Sequence, residues 1–283
     1  MKLIIFISLI INYAQAQITL NQVNDFGPNP GELKMYTYVP ETKIKSLVVL
    51  LHGCAQAASD FDDEIGWTKV ADKYGMVLLL PQQTKTNNNW RCFNWFQASD
   101  ITRGHGEIAS ISHMIDYMKS KYDVEDSFVT GLSAGGAMTN ILLATYPEYF
   151  KAGAIVAGLP VGCATNQSNA WSCMYGFQFP FPSSQQRGDA IRAAAGPFNG
   201  KWPSVMIVHG TSDEFVSYKN AHYILKQWTN VHGNSENIKL VSIKGMRHGY
   251  PIDPKNGCGS LGKFIIDAEY CAAESIAKFF LAQ

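Results

Sequence analysis

The chain is poor in charge and has no surplus of either sign. Of its 283 residues 16% are Asp, Glu, Lys or Arg, and 23 basic residues balance 23 acidic ones. Without a basic excess there is no electrostatic footprint for nucleic acid or an anionic membrane, and neither is expected as a partner. No Cys-x-x-Cys pair occurs, so the usual zinc pattern is missing and no metal site is expected. Repeats and low-complexity tracts are absent. So are long apolar runs: Leu3 to Ile11 is too short to span a bilayer. With Met1-Lys2 before it and Ala14-Gln15-Ala16 after it, that run reads as a secretory signal peptide over residues 1–16. Residues 17–283 are then the mature chain, long enough for one large core and read as one domain.

What is present is cysteine in an even number. Cys54, Cys92, Cys163, Cys173, Cys258 and Cys271 lie in an exported chain, which favours disulfides. Six cysteines can pair in about 15 ways, and count alone does not choose among them. Asn166-Gln167-Ser168 is a glycosylation sequon, relevant only in a eukaryotic secretory route.

The most informative stretch is Asp126 to Tyr146. Ser127-Phe128-Val129-Thr130 reads as a buried strand, and Ala137 to Tyr146 as a helix with Ala137, Ile141 and Ala144 at helical spacing. Between them stands Gly131-Leu132-Ser133-Ala134-Gly135, a Gly-x-Ser-x-Gly in the order strand, turn, helix. That is the nucleophile elbow of an α/β-hydrolase, which lifts a serine Oγ above the carboxyl edge of a sheet. Buried strands are expected at Ser46–Leu51 and Met76–Leu80 (stopped by Pro81), further strands at Ala152–Ala157, Ser204–Val208 and Lys239–Ile243, and an edge-like one at Leu33–Val39. Helices are expected at Trp67–Tyr74, His105–Tyr122, Lys219–Thr229 and Asp267–Leu281. Strands alternating with helices predict a mostly parallel sheet covered on both faces. Pro160 to Gly200 reads as an insertion capping the site, with one helical stretch near Asp189–Ala195.

A hydrolase elbow needs an acid and then a histidine further along the chain. His248 lies in Gly245-Met246-Arg247-His248-Gly249, a loop just after a strand, where such folds place catalytic groups. His222 falls inside a helix and His232 in a polar, solvated turn. Asp213 follows strand Ser204–Val208 and is the better acid, with neighbouring Glu214 pointing elsewhere. His52 and His209 each open a His-Gly pair at a strand end and read as holders of loop geometry. For the oxyanion the donors are the backbone amides of Ala134 and of Cys54 in His52-Gly53-Cys54. This chemistry needs neither metal nor organic cofactor.

Several further stretches complete a resemblance: Leu51-His52-Gly53-Cys54-Ala55-Gln56, Cys92-Phe93-Asn94-Trp95-Phe96, Arg103-Gly104-His105-Gly106-Glu107, Leu143-Ala144-Thr145-Tyr146-Pro147, Ala157-Gly158-Leu159-Pro160 and His209-Gly210-Thr211-Ser212-Asp213. Together with the elbow and the His248 loop, the chain resembles the secreted esterases of the poly(3-hydroxybutyrate) depolymerase type, related to the feruloyl and acetylxylan esterases of carbohydrate esterase family one. The resemblance implies the triad Ser133, Asp213 and His248, and a Cys54–Cys92 bridge that pins the aromatic loop near Trp95 over the site. The remaining cysteines, close in sequence, are expected to pair as Cys163–Cys173 and Cys258–Cys271. Two departures stand out. Arg247 replaces a small residue before the catalytic histidine of many relatives. No polymer-binding domain follows the closing helix, so soluble oligomers are expected in preference to solid polymer.

The expected activity is hydrolysis of an uncharged ester through an acyl-enzyme, on a hydroxybutyrate oligomer or, alternatively, on a feruloylated or acetylated plant polysaccharide. Trp90, Phe93, Trp95, Phe96, Phe177, Phe179 and Phe181 are the expected pocket rim, with Trp95 taken as a substrate-binding residue.

Overall fold

The computed structural model describes residues 20–178 and 181–283. The expected signal peptide and Phe179 lie outside the described residues. In chain order the strands are β1 (Asn21–Val23), β2 (Lys34–Tyr38), β3 (Ser46–Leu51), β4 (Met76–Gln82), β5 (Ser127–Leu132), β6 (Ala152–Val156), β7 (Ser204–Gly210), β8 (Ile238–Ile243), β9 (Tyr250–Ile252) and β10 (Ile265–Asp267). The helices are α1 (Trp67–Tyr74), α2 (Ala98–Ile101), α3 (Gly106–Tyr122), α4 (Ala134–Thr145), α5 (Gln167–Met174), α6 (Ser184–Ala195), α7 (Lys219–His232) and α8 (Ala272–Leu281).

Eight strands form one sheet in the order β1-β2-β4-β3-β5-β6-β7-β8. Pairing is parallel from β4 through β8 and antiparallel for β1 and β2. The fold is that of an α/β-hydrolase. All six residues of β3 are buried, because the sheet is covered on both sides. Leu47, Val49 and Leu51 join the core that carries α3, α4, α6 and α7, while Val48 and Leu50 join the core of α1 and α8. That alternation is the period of a strand, read here as a continuous apolar run because both faces need hydrophobes.

Several boundaries differ from the sequence reading. β4 runs through Pro81 to Gln82. Its pairing with β3 ends at Leu79, so by Pro81 one side of the strand no longer calls for a donor. The insertion holds two helices, α5 and α6, each opened by a reciprocal cap: Asn166 with Asn169, and Ser183 with Gln186. The closing helix starts at Ala272. Residues 265–267 instead form β10, which pairs in parallel with β9. His232 is half-buried and lies 3.2 Å from Pro203 O through Nε2, rather than standing free in water.

All three expected disulfides are formed: Cys54–Cys92, Cys163–Cys173 and Cys258–Cys271. They close loops of 38, 10 and 13 residues respectively. The longest joins the loops after β3 and β4, and both emerge at the carboxyl edge of the sheet.

Candidate active site

Close backbone approach holds the elbow. Ser133 has φ 57° and ψ −116°, a conformation that costs an L-residue about 1–3 kcal/mol and persists only under constraint. The constraint is a pair of hydrogen bonds: Ser133 N donates to Val156 O at 3.0 Å, and Ser133 O accepts from Ala137 N at 2.8 Å. A Cβ on Gly135 would sit 2.1 Å from Leu51 O, and one on Gly131 would sit 2.5 Å from Gly135 O. Glycine at both positions is what lets β3, β5 and α4 come this near. Ser133 is left half-buried at the carboxyl edge.

Two strands along the same edge, β7 delivers Asp213. Neighbouring strands lie about 4.8 Å apart, so Ser133 and Asp213 rise roughly 10 Å from one another with room for an imidazole between. That imidazole comes from the loop after β8. His248 Nδ1 donates to Asp213 Oδ2 at 2.8 Å. The two loops are packed together: Ser212 N donates to Met246 O at 3.1 Å and Gly245 N to Thr211 Oγ1 at 2.9 Å. Asp213 Oδ1 accepts from the amides of Phe215 and Val216 at 2.9 and 2.8 Å. A second histidine also faces the carboxylate. His209 Nε2 lies 2.8 Å from Val216 O and 3.3 Å from Asp213 Oδ2; both neighbours are acceptors, so the proton is on Nε2. Burial alone would raise the Asp213 pKa. Hydrogen bonds from His209 and His248 prevail and hold it well below the usual carboxylate range. Glu214 does point elsewhere: it pairs with Arg247 and accepts from His248 N at 3.2 Å. Arg247 therefore has a local partner at the rim. Among the described residues no hydrogen bond joins Ser133 Oγ to His248 Nε2.

The third loop, after β3, carries the Cys54 amide. His52 is fully buried; its Nδ1 donates to Gly53 O at 2.7 Å and its Nε2 accepts from Gln83 N at 3.1 Å. Burial pulls its pKa down to about 4, so the ring is neutral at ordinary pH with the proton on Nδ1. Gly53 N in turn donates to Gln56 Oε1 at 2.8 Å. The amides of Cys54 and Ala134 have no acceptor among the described residues. Each heads a loop or helix at the sheet edge, which leaves both available to a ligand oxygen.

Ser133, Asp213 and His248 thus arise at one edge of the sheet, after β5, β7 and β8 in that chain order. Residues 36–242 match the family described as Esterase PHB depolymerase. The chain belongs to this family. It is 37% identical to poly(3-hydroxyalkanoate) depolymerase C of Paucimonas lemoignei, over 92% of this chain and 70% of that one. It is 36% identical to an acetylxylan esterase of Coprinopsis cinerea, over 82% of this chain and 63% of that one. Among solved structures it superposes on the acetyl xylan esterase from Aspergillus awamori with a TM-score of 0.75 at 26% identity, covering 81% of this chain and 94% of that one. It is thus an esterase of the type that spans PHB depolymerases and acetylxylan esterases.

Of the aromatic rings expected at the rim of this PHB depolymerase-family chain, two are buried. Phe93 is fully buried against the His52 ring, and Trp95 is 7% exposed, packed edge-on to Phe96. Both fill the core under the loop, and Trp95 offers little more than an edge. Trp90, Phe177 and Phe181 stand exposed in solvent. The rings that do flank the candidate base are Phe215 and Phe264, with centroids 5.5 and 5.7 Å from His248. Phe215 lies two residues after Asp213 and could have been suspected on that ground. Phe264 is brought in by β10 pairing with β9, a contact with no sequence signature. A cleft of about 510 Å³ lies between the loops after β4 and β6, lined by Phe96 and by the amides and hydroxyls of Asn88, Gln97, Ser99, Thr165 and Asn166.

Proposed function

We propose that the chain is a secreted serine carboxylic-ester hydrolase working through an acyl-enzyme. The observation that carries this is the Asp213–His248 hydrogen bond on the same sheet edge as the strained Ser133 turn. Ser133 Oγ attacks the ester carbonyl while His248 Nε2 takes its proton. The carbonyl oxygen becomes an oxyanion beside the Cys54 and Ala134 amides, which typically stabilise such a charge by about 3 kcal/mol each. Collapse of the tetrahedral centre breaks the carbon–oxygen bond, and the proton on Nε2 goes to the leaving alkoxide. Water then attacks the acyl-enzyme, gives its proton to His248, and returns Ser133 as the carboxylic acid departs. Asp213 fixes the histidine tautomer and stabilises the imidazolium without taking the proton. Secretion is supported by the signal pattern over residues 1–16 and by three disulfides in one chain.

For substrate, the Phe215 and Phe264 faces beside His248 suit an uncharged aliphatic ester, and a 3-hydroxybutyrate oligomer is the first choice. A second reading, an ester on a plant polysaccharide, is favoured by the amide- and hydroxyl-lined cleft, whose chemistry suits a polyhydroxylated chain. The test is kcat/KM of the wild-type enzyme on hydroxybutyrate trimer, methyl ferulate and acetylated xylo-oligosaccharides, with Ser133→Ala as the blank. The trimer is expected to lead. A clear preference for either carbohydrate-type ester rejects the polyester; turnover surviving in Ser133→Ala rejects the mechanism.

A further inference from the structure

Behind the oxyanion loop lies a buried carboxyl that the reaction does not use. Glu107, in the first turn of α3, is wholly inaccessible to solvent. Its carboxyl receives three donors: Asn94 N at 2.8 Å on Oε2, and Gln83 Nε2 at 2.5 Å and Asn87 Nδ2 at 3.2 Å on Oε1. Gln83 is also gripped from other sides. Its Nε2 donates to Cys92 O at 3.1 Å, and its Oε1 accepts from Thr84 N and Asn87 Nδ2 at 2.8 and 2.9 Å. Its position is therefore set largely by Glu107 and by the loop that Cys92 closes.

The backbone amide of the same Gln83 is the donor that His52 Nε2 accepts. That hydrogen bond places the imidazole proton on Nδ1, and Nδ1 holds Gly53 O. A trans peptide is planar, with its C=O and N–H pointing in opposite directions. Holding Gly53 O on one side aims the Cys54 N–H to the other. The links run without a gap from Glu107 through Gln83, His52 and Gly53 to the Cys54 amide.

We infer that Glu107 and Gln83 are positioning residues for the oxyanion hole, fixing through His52 the direction of the Cys54 N–H. The inference rests on the reading of that amide as an oxyanion donor. Its energetic consequence falls on the transition state, because the oxyanion exists only there, while ester binding in the ground state uses other surfaces. Glu107→Gln is a sharp perturbation. It keeps the shape but turns one accepting oxygen into an NH2 that must face an N–H donor. Gln83→Met removes the side-chain bonds and leaves the backbone donor to His52 in place but unanchored.

The experiment compares wild type, Glu107→Gln, Gln83→Met and Ser133→Ala on a 4-nitrophenyl butyrate assay. Active sites are counted by titration with a fluorophosphonate, and an alkyl boronic acid serves as tetrahedral analogue. Per titrated site, kcat is expected to fall about 10-fold in the two network variants, short of the 10²–10³ for outright loss of a donor, with KM within about twofold. Boronate affinity should fall in step with kcat/KM. Unchanged kcat per site and unchanged boronate affinity in either folded variant overturn the inference. So does a loss that lies wholly in the number of titratable sites, which is a folding effect alone. Should Glu107→Gln not fold, Gln83→Met decides. Retained activity in Ser133→Ala would instead overturn the catalytic reading beneath it, so the two failures are told apart.

Discussion

Asp213 and Glu107 are both carboxyls taken out of water near the same sheet edge, and they settle at opposite ends of the titration range. Burial pushes both upward. Asp213 is nevertheless held well below its ordinary value, while Glu107 is pushed up to about 8. Number of hydrogen bonds does not separate them, since each accepts several. The partners do. Asp213 faces two imidazoles that can carry positive charge, whereas Glu107 faces only neutral amides, with Asp100 adding repulsion. Hydrogen bonds favour the ionised form at both sites: at Glu107 burial and Asp100 outweigh them, while at Asp213 attraction from the imidazoles adds to them. The first environment makes a scaffold and the second makes a partner for a base.

The strongest way to break the comparison is to remove the charge of Asp213 without changing its shape. Asp213→Asn should lower kcat on a small chromogenic ester by about 10³–10⁴, because the amide presents a donor where His248 Nδ1–H needs an acceptor. Retention of more than a tenth of wild-type activity would exclude Asp213 as the acid. A smaller effect is expected from the second imidazole. His209→Phe leaves Asp213 one polar partner short and should lower kcat by about 10-fold, in line with loss of a hydrogen bond to a charged group. His209→Gln, which keeps a donor toward Val216 O and Asp213, should recover most of that. Equal loss in both variants would make His209 a packing residue only.

The smallest effect sharpens the contrast through stability. Glu107 in the folded chain binds its proton more tightly than in the unfolded one. Its contribution is full below the ordinary carboxyl value of 4.5 and is lost as pH rises toward and through about 8. Asp213 behaves in the reverse sense: its contribution is present above its ordinary 3.8 and is lost as pH falls. Between pH 5 and 8 the Tm of wild type should therefore fall relative to Glu107→Gln, by about 2–4 °C per kcal/mol of linkage. Parallel Tm curves over that window would show that Glu107 stays ionised throughout.

How far the sequence could be read follows from where its constraints are local. Gly131, Ser133 and Gly135 announce themselves because a tight approach demands glycine at fixed offsets. Asp213 and His248 could be proposed because each lies in a loop after a strand, Asp213 after the wholly buried β7 and His248 after the marginal β8, and the order of strands fixes the edge at which they emerge. Glu107 stood in plain view within Arg103-Gly104-His105-Gly106-Glu107, but its role lies in contacts with Gln83 and Asn94, far along the chain from the cysteine they serve. The aromatic loop misled for a similar reason. A phenylalanine that fills a core and one that lines a pocket look alike until burial is known, and so Phe93 and Trp95 were expected at the rim that Phe215 and Phe264 occupy. The caps at Asn166 and Ser183 were legible as Asn-x-x-Asn and Ser-x-x-Gln, yet α5 and α6 were blurred by the polar surroundings of the insertion.

The three candidate catalytic residues hang from strands of unequal security. β5 has β3 and β6 on either side and β7 lies between β6 and β8, but β8 is the margin of the sheet, bonded to β7 alone. Its residues are half-buried or exposed, unlike those of the wholly buried β5. Amide exchange should accordingly be fastest along Ile238–Ile243 within the parallel part of the sheet, and local opening there releases the His248 loop while the nucleophile's turn stays folded. Heat or denaturant would then silence the enzyme by fraying one hem of the sheet, before its centre has come apart.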